Sequence, residues 1–232
     1  KIVSIEDTRE LNLPHENWIP NVARSGFTSS GTGEVTMFEL LKESFRQNPD
    51  YLIVGEVRGR EAYILFQGMA SGHPSLSTFH SGGVDDVIKR LQTKPISLSA
   101  GLLESLDIVM TMVHAQEKTK SSRRVKEMVE IESIDSVSGT ARTTKIFAWR
   151  PATDTFEYRG ASWVLSKVSS EKGLAMQHII KDIAKRKELL DWMVAKSMTN
   201  MNDVVHYLKL YRTDPIKVEN MVRPDTRSRR VS

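Results

Sequence analysis

No cysteine occurs among the 232 residues, which removes disulfide scaffolds, thiolate zinc sites and cysteine nucleophiles together and fits a reducing compartment. No apolar run approaches the ~20 residues that span a bilayer. The opening KIVSIEDTRE lacks the form of a secretory signal. The basic stretch from Lys118 to Lys126 contains no aromatic residue. A groove that stacks nucleic-acid bases interleaves aromatics with its positive charge, so nucleic-acid binding ranks lowest among the function classes. What is present is an ordinary globular balance: 39% hydrophobic, 27% charged, formal net charge +4. That is enough chain for one large domain, or one domain with a satellite. The positive excess is local, at Lys118, Lys120, Arg123, Arg124 and Lys126 and again at Arg223, Arg227, Arg229 and Arg230. It reads as solvated loop and tail charge, or else as a contact for an acidic partner or a membrane surface.

The first half alternates strand and helix signals, the pattern of a parallel sheet covered by helices. KIVSI (1–5) is a short strand, and ARSGFTSSGTGE (23–34) a Ser/Thr/Gly-rich loop. Thr36 and Glu39 have capping-box spacing ahead of Met37, Leu41 and Phe45, which predicts a helix over 36–47. YLIV (51–54) lacks alternation, as a central strand buried on both faces should. A strongly apolar helix is predicted over 60–70, a strand over 75–79, a helix over 84–91 and a fourth strand over 107–113. Segments 125–134, 143–149 and 154–159 read as antiparallel strands extending the sheet. From Ser162 the pattern turns helical. The expected domains are a core over 1–159, a helical subdomain over 160–222 and a disordered basic tail over 223–232.

Charged residues gather where open α/β sheets place their ligands, at the carboxyl ends of the strands. Glu6 and Asp7 follow the first strand, and Glu56 and Arg58 follow YLIV. His80 follows SLSTF, with His73 just before it. Each has a bland reading: Glu-Asp as a turn pair, His80 as a structural hydrogen-bonder, Arg24 and Arg58 as surface charge. The seven-residue gap between His73 and His80 offers no tight metal chelate. Convergent ends would nevertheless supply what nucleotide hydrolysis needs: a carboxylate for Mg²⁺ through water, another for the attacking water, and donors for the γ-phosphate.

Taken together, IEDTRELNLPHENW (5–18), GEVTMFELLKESFRQNPDYLIVGEVRG (33–59) and GHPSLSTFHSG (72–82) resemble the Asp box, Walker B segment and His box of the type II/type IV secretion, pilus and archaellum motor ATPases. The wording looks most like the archaeal branch, and the zinc module of bacterial type II members is lacking. The resemblance implies a RecA-like α/β fold and a hexameric ATPase that drives secretion or filament assembly beside a membrane platform protein. It implies a cytoplasmic location at the inner membrane face. By the same resemblance Glu6 acts on the lytic water and Glu56 holds Mg²⁺ through water, with the choice of base between them open. His80 senses the γ-phosphate with support from His73. Arg24, Arg46 and Arg58 fall at or near the family's arginine positions, Arg58 and Arg24 being the candidates for phosphate contact.

The sequence holds no G-x-x-x-x-G-K-[ST] and no Gly-Lys pair. That loop normally supplies the amides and lysine that cradle the phosphates, and a Ser/Thr ligand for Mg²⁺. The chain therefore reads as a C-terminal part of such a motor. It is expected to hold no tightly bound ATP or Mg²⁺ and to be inactive alone, with the first strands of the sheet absent. The competing reading is a non-catalytic assembly module of the same fold.

Overall fold

The computed structural model describes the backbone of residues 1–26, 32–117 and 120–228, and the chain divides into two compact units, Lys1–Val164 and Leu165–Ser232. The first unit opens with a parallel sheet of β1 (Ile2–Glu6), β2 (Trp18–Val22), β3 (Tyr51–Val54) and β4 (Ser75–Ser77), in the order β2-β1-β3-β4. Register explains its core. Val3 lies opposite Leu52 and Ile5 opposite Val54, and all four are buried on one face. On the other face the fully buried Ser4 accepts a hydrogen bond from Trp18 Nε1 at 2.9 Å.

Helix α1 (Met37–Arg46) starts at the predicted capping box. The Glu39 amide donates to Thr36 Oγ1 at 3.2 Å and the Thr36 amide to Glu39 Oε2 at 2.9 Å, an arrangement contributing about 1 kcal/mol. Helix α2 (Glu61–Ala70) crosses α1 closely, since a Cβ added at Gly68 would stand 2.3 Å from the Phe45 ring. Gly72, at φ +90°, then turns the chain into β4, a conformation that a side chain would strain. α3 (Val84–Gln92) and the short α4 (Ala100–Leu103) complete this part.

A second sheet, entirely antiparallel, follows in the order β5-β6-β7-β8: β5 (Ile108–Glu117), β6 (Lys120–Ile134), β7 (Ala141–Arg150) and β8 (Thr155–Tyr158). The strand predicted at 107–113 thus does not extend the parallel sheet. It forms β5, which pairs along its whole length with β6, and such a hairpin partner outcompetes a distant parallel one. Val129, Ile131 and Ile134 of β6 join the same core as Leu52 and Leu103.

One acid-sensitive anchor sits in this sheet. Asp154 accepts from Arg124 Nε and Nη2 at 2.8 and 2.9 Å and from Trp149 Nε1 at 2.8 Å. Chiefly through Arg124, then Trp149, its carboxyl is held well below the usual carboxylate range, at about 2. A depressed folded pKa gives stability that is present above the unfolded value and lost as pH falls through the folded one. Acid titration followed by tryptophan fluorescence should therefore show loosening between about pH 4 and pH 2, and Asp154→Asn should lack that component.

α5 (Trp163–Lys172) opens on the buried Glu130, whose carboxylate accepts from the Trp163 and Val164 amides at 2.7 and 3.1 Å and from Ser162 Oγ at 2.6 Å. In the second unit α6 (Met176–Ala195), α7 (Met201–Thr213) and α8 (Pro215–Ser228) bury Leu189, Trp192, Met193, Tyr211, Val218 and Val222. The tail expected to be disordered from 223 is helical through Ser228, while 229–232 lie outside the described residues. Asp214 caps the Lys217 amide at 3.0 Å, and Pro215 stands in the first turn, where its missing N–H costs nothing. Among the described residues no helix is long and apolar enough to cross a membrane.

Candidate functional site

Because the first sheet is parallel, the carboxyl ends of its strands share one edge, and chemistry collects there. Glu6 closes β1 at 3% exposure. Its Oε1 accepts the Glu10 and Leu11 amides, both at 3.0 Å, folding the following loop back over the strand end. Its Oε2 is buried with no partner among the described residues. On the adjacent strand, Gly55 follows Val54, and a Cβ there would come within 3.1 Å of Glu6 Cγ. Glycine therefore admits the Glu6 side chain beside the start of the Glu56 loop.

Glu56 carries the densest charge contacts of this edge. Its Oε2 accepts from Arg58 Nη2 at 2.5 Å, and His80 Nε2 stands 3.5 Å from its Oε1. The Arg58 guanidinium, with His80 adding a smaller part, holds the Glu56 carboxyl below its usual range against the cost of desolvation. The carboxylate is 22% exposed, whereas the Arg58 and His80 side chains are 73% and 87% exposed. A partly sheltered acid and two exposed cations therefore face solvent together.

Neighbouring residues fix the two loops. Thr78 Oγ1 donates to the Gly55 carbonyl at 2.6 Å, and the Val57 amide donates to the Thr78 carbonyl at 3.0 Å. The loop after Val54 and the loop after β4 are thereby laced together. Arg90 donates to the His80 carbonyl while its guanidinium lies 4.7 Å from the Phe79 ring centroid. Thr78, Arg90, Gly55 and Glu61, described below, were not singled out from the sequence. A Thr-x-His triplet and a glycine before the acid were there to be read, whereas Arg90 is ten residues from His80 and carries no local signal.

Two expected members stand elsewhere. His73 precedes β4 and so lies at the amino edge: its amide donates to the Gly68 carbonyl at 3.0 Å, and its ring meets Phe45 edge-on at 5.1 Å. It braces α1 against α2 and does not join His80. Arg46 is at the same amino edge, pairing with Glu43 at 3.4 Å, one residue before Gln47, whose carbonyl accepts from Lys1 Nζ. Arg24 does lie at the carboxyl edge. Its neighbour Ala23 donates to the Glu6 carbonyl at 2.9 Å, and its own Nε holds the Gly33 carbonyl at 2.9 Å across the segment 27–31, which is outside the described residues.

No group of three or more His, Asp or Glu residues that could hold a metal occurs among the described residues. Glu56 offers a partly exposed carboxylate of the kind that holds a Mg²⁺ ion by way of its waters. A cleft of about 510 Å³ beside the start of α3 is lined by Asp85, Asp86, Glu127, Lys126 and Lys145. Lys145 is paired with Glu127 at 2.5 Å there, and three carboxylates face two lysines, a charge balance unfavourable to phosphate.

The family profile described as Type II/IV secretion system protein matches residues 1–196. The chain belongs to that family. The uncharacterized protein MJ1287 of Methanocaldococcus jannaschii is 41% identical over 212 residues, covering 91% of this chain and 78% of the relative. Protein VirB11 of Agrobacterium fabrum is 38% identical over 93 residues, 39% of this chain and 26% of VirB11. Among solved structures, the VirB11 ATPase from the Brucella suis type IV secretion system, in complex with sulphate, matches with TM-score 0.44 and 26% identity over 55% of this chain and 39% of that one. This secretion ATPase family therefore has an archaeal relative spanning most of the chain, whereas the chain spans about a quarter of VirB11.

Proposed function

We propose that these residues form the C-terminal catalytic half of a RecA-like ATPase that works as a hexameric ring on the cytoplasmic face of a membrane, against a membrane platform protein, to drive protein secretion or filament assembly. The observation that carries this reading is the placement of Glu56 at the end of a central parallel strand, with Arg58 on one carboxylate oxygen and His80 facing the other. Mg²⁺, when bound with ATP, would neutralise phosphate charge; Glu56 would hold it through water, and Arg58, Arg24 and His80 would contact the γ-phosphate. Arginine suits that task because its charge is permanent and its fork matches phosphate oxygens. Glu6 offers Oε2, the oxygen not spent on the loop amides, to the attacking water.

The 232 residues contain no phosphate-cradling loop, and these groups replace neither its amides nor its lysine. Calorimetric titration of this chain with Mg-ATP should accordingly show binding much weaker than micromolar and no turnover. Micromolar affinity would contradict the proposal. A non-catalytic assembly module finds its support in Glu6, which is almost wholly buried and holds a loop as a structural acid would.

A further inference from the structure

We infer that Glu61 is a positioning residue of this edge: its carboxylate fixes the backbone from which Arg58 reaches Glu56. The inference rests on the reading above and deepens it. Glu61 Oε1 accepts the Arg58 and Gly59 amides, both at 2.6 Å. Both amides belong to the loop ahead of α2, and the residue before the helix, Arg60, makes no side-chain cap. Glu61, the first residue of the helix, holds them by turning back over that loop. Gly59 makes room for it, since a Cβ there would lie 3.2 Å from Glu61 Oε2.

The consequence falls on Arg58. Its amide is held, while its guanidinium is 73% exposed and rests on Glu56. A fixed base with an exposed tip is what a cation needs if it is to pivot between the carboxylate and an incoming phosphate. Without the Glu61 bonds the loop of residues 57–60 gains freedom, and the Arg58 tip spends less time on Glu56. The charged groups facing Glu56 are Arg58 and His80, and Asp7 and Glu61 in turn face Arg58.

The test needs no nucleotide and is made on this chain. Hydrogen exchange at the Arg58 and Gly59 amides and the relaxation of the Arg58 Nε–H are read by NMR in the wild type, Glu61→Ala and Glu61→Gln. Glu61→Ala should speed exchange at both amides by about tenfold or more and increase the motion of the Arg58 side chain. Glu61→Gln keeps an acceptor oxygen and should leave both close to wild type. Unchanged exchange at the two amides in Glu61→Ala overturns the inference, as does an Arg58 side chain whose motion does not change. If Glu61→Ala fails to fold, Glu61→Gln decides: retained protection supports the acceptor role, and its loss overturns it. Failure of the ATPase reading would appear elsewhere, as hydrolysis that survives loss of the Glu56 charge.

Discussion

On the proposed reading, Glu56→Gln should abolish ATP hydrolysis in a polypeptide that carries this chain together with a Gly-x-x-x-x-Gly-Lys-Ser/Thr loop, lowering kcat by about 10²-fold or more. Glutamine preserves shape, so the strand β3 and its core are untouched. What disappears is the anion that anchors Arg58 at 2.5 Å and that, on the proposed reading, would hold Mg²⁺ through water. Nucleotide affinity should change far less than kcat, because the cradle loop supplies most phosphate contacts. Arg46→Ala is the matched control. That exposed arginine sits at the opposite edge, paired with Glu43, and kcat should stay within about twofold. If the chain is an assembly module, Glu56→Gln leaves hydrolysis unchanged.

Leu52→Ala has the largest expected effect on stability, about 2–5 kcal/mol. Leu52 is fully buried on the central strand β3, opposite Val3, in the core that also takes Leu41, Leu65 and Leu103. Truncation removes transfer energy and leaves a cavity that close-packed neighbours fill only in part. A domain holds about 5–15 kcal/mol in all, so the denaturant midpoint should fall steeply. Leu76→Ala provides the contrast. Leu76 lies on the edge strand β4 and is largely exposed, and its loss should shift stability by no more than about 0.5 kcal/mol.

The elements that could be read in advance are those whose signals are local. Thr36 with Glu39 announced α1, and YLIV announced β3 through its unbroken apolar run. β2 escaped because WIPNV carries a proline and three exposed positions, as edge strands do. The pairing of β5 escaped because an apolar run shows that a strand exists and not which neighbour it takes. The same division governs the site. Acids and a histidine at strand ends marked Glu6, Glu56 and His80, since parallel strands bring their ends to one edge whatever lies between. His73 was misplaced by nearness in sequence: the short strand β4 separates it from His80 and carries the two to opposite edges. Glu61 and Arg90 act on main-chain groups, and no side-chain pattern signals such a bond.

The most direct measurement of the central claim is amide NMR mapping of this chain as Mg-ATP is added at millimolar concentration. The account predicts that the first and largest shifts fall on Gly55, Glu56, Arg58, Gly59 and His80, with His73 and Arg46 unmoved. Shifts centred on the amino edge of the sheet, or on the cleft between α3 and Lys145, would contradict it.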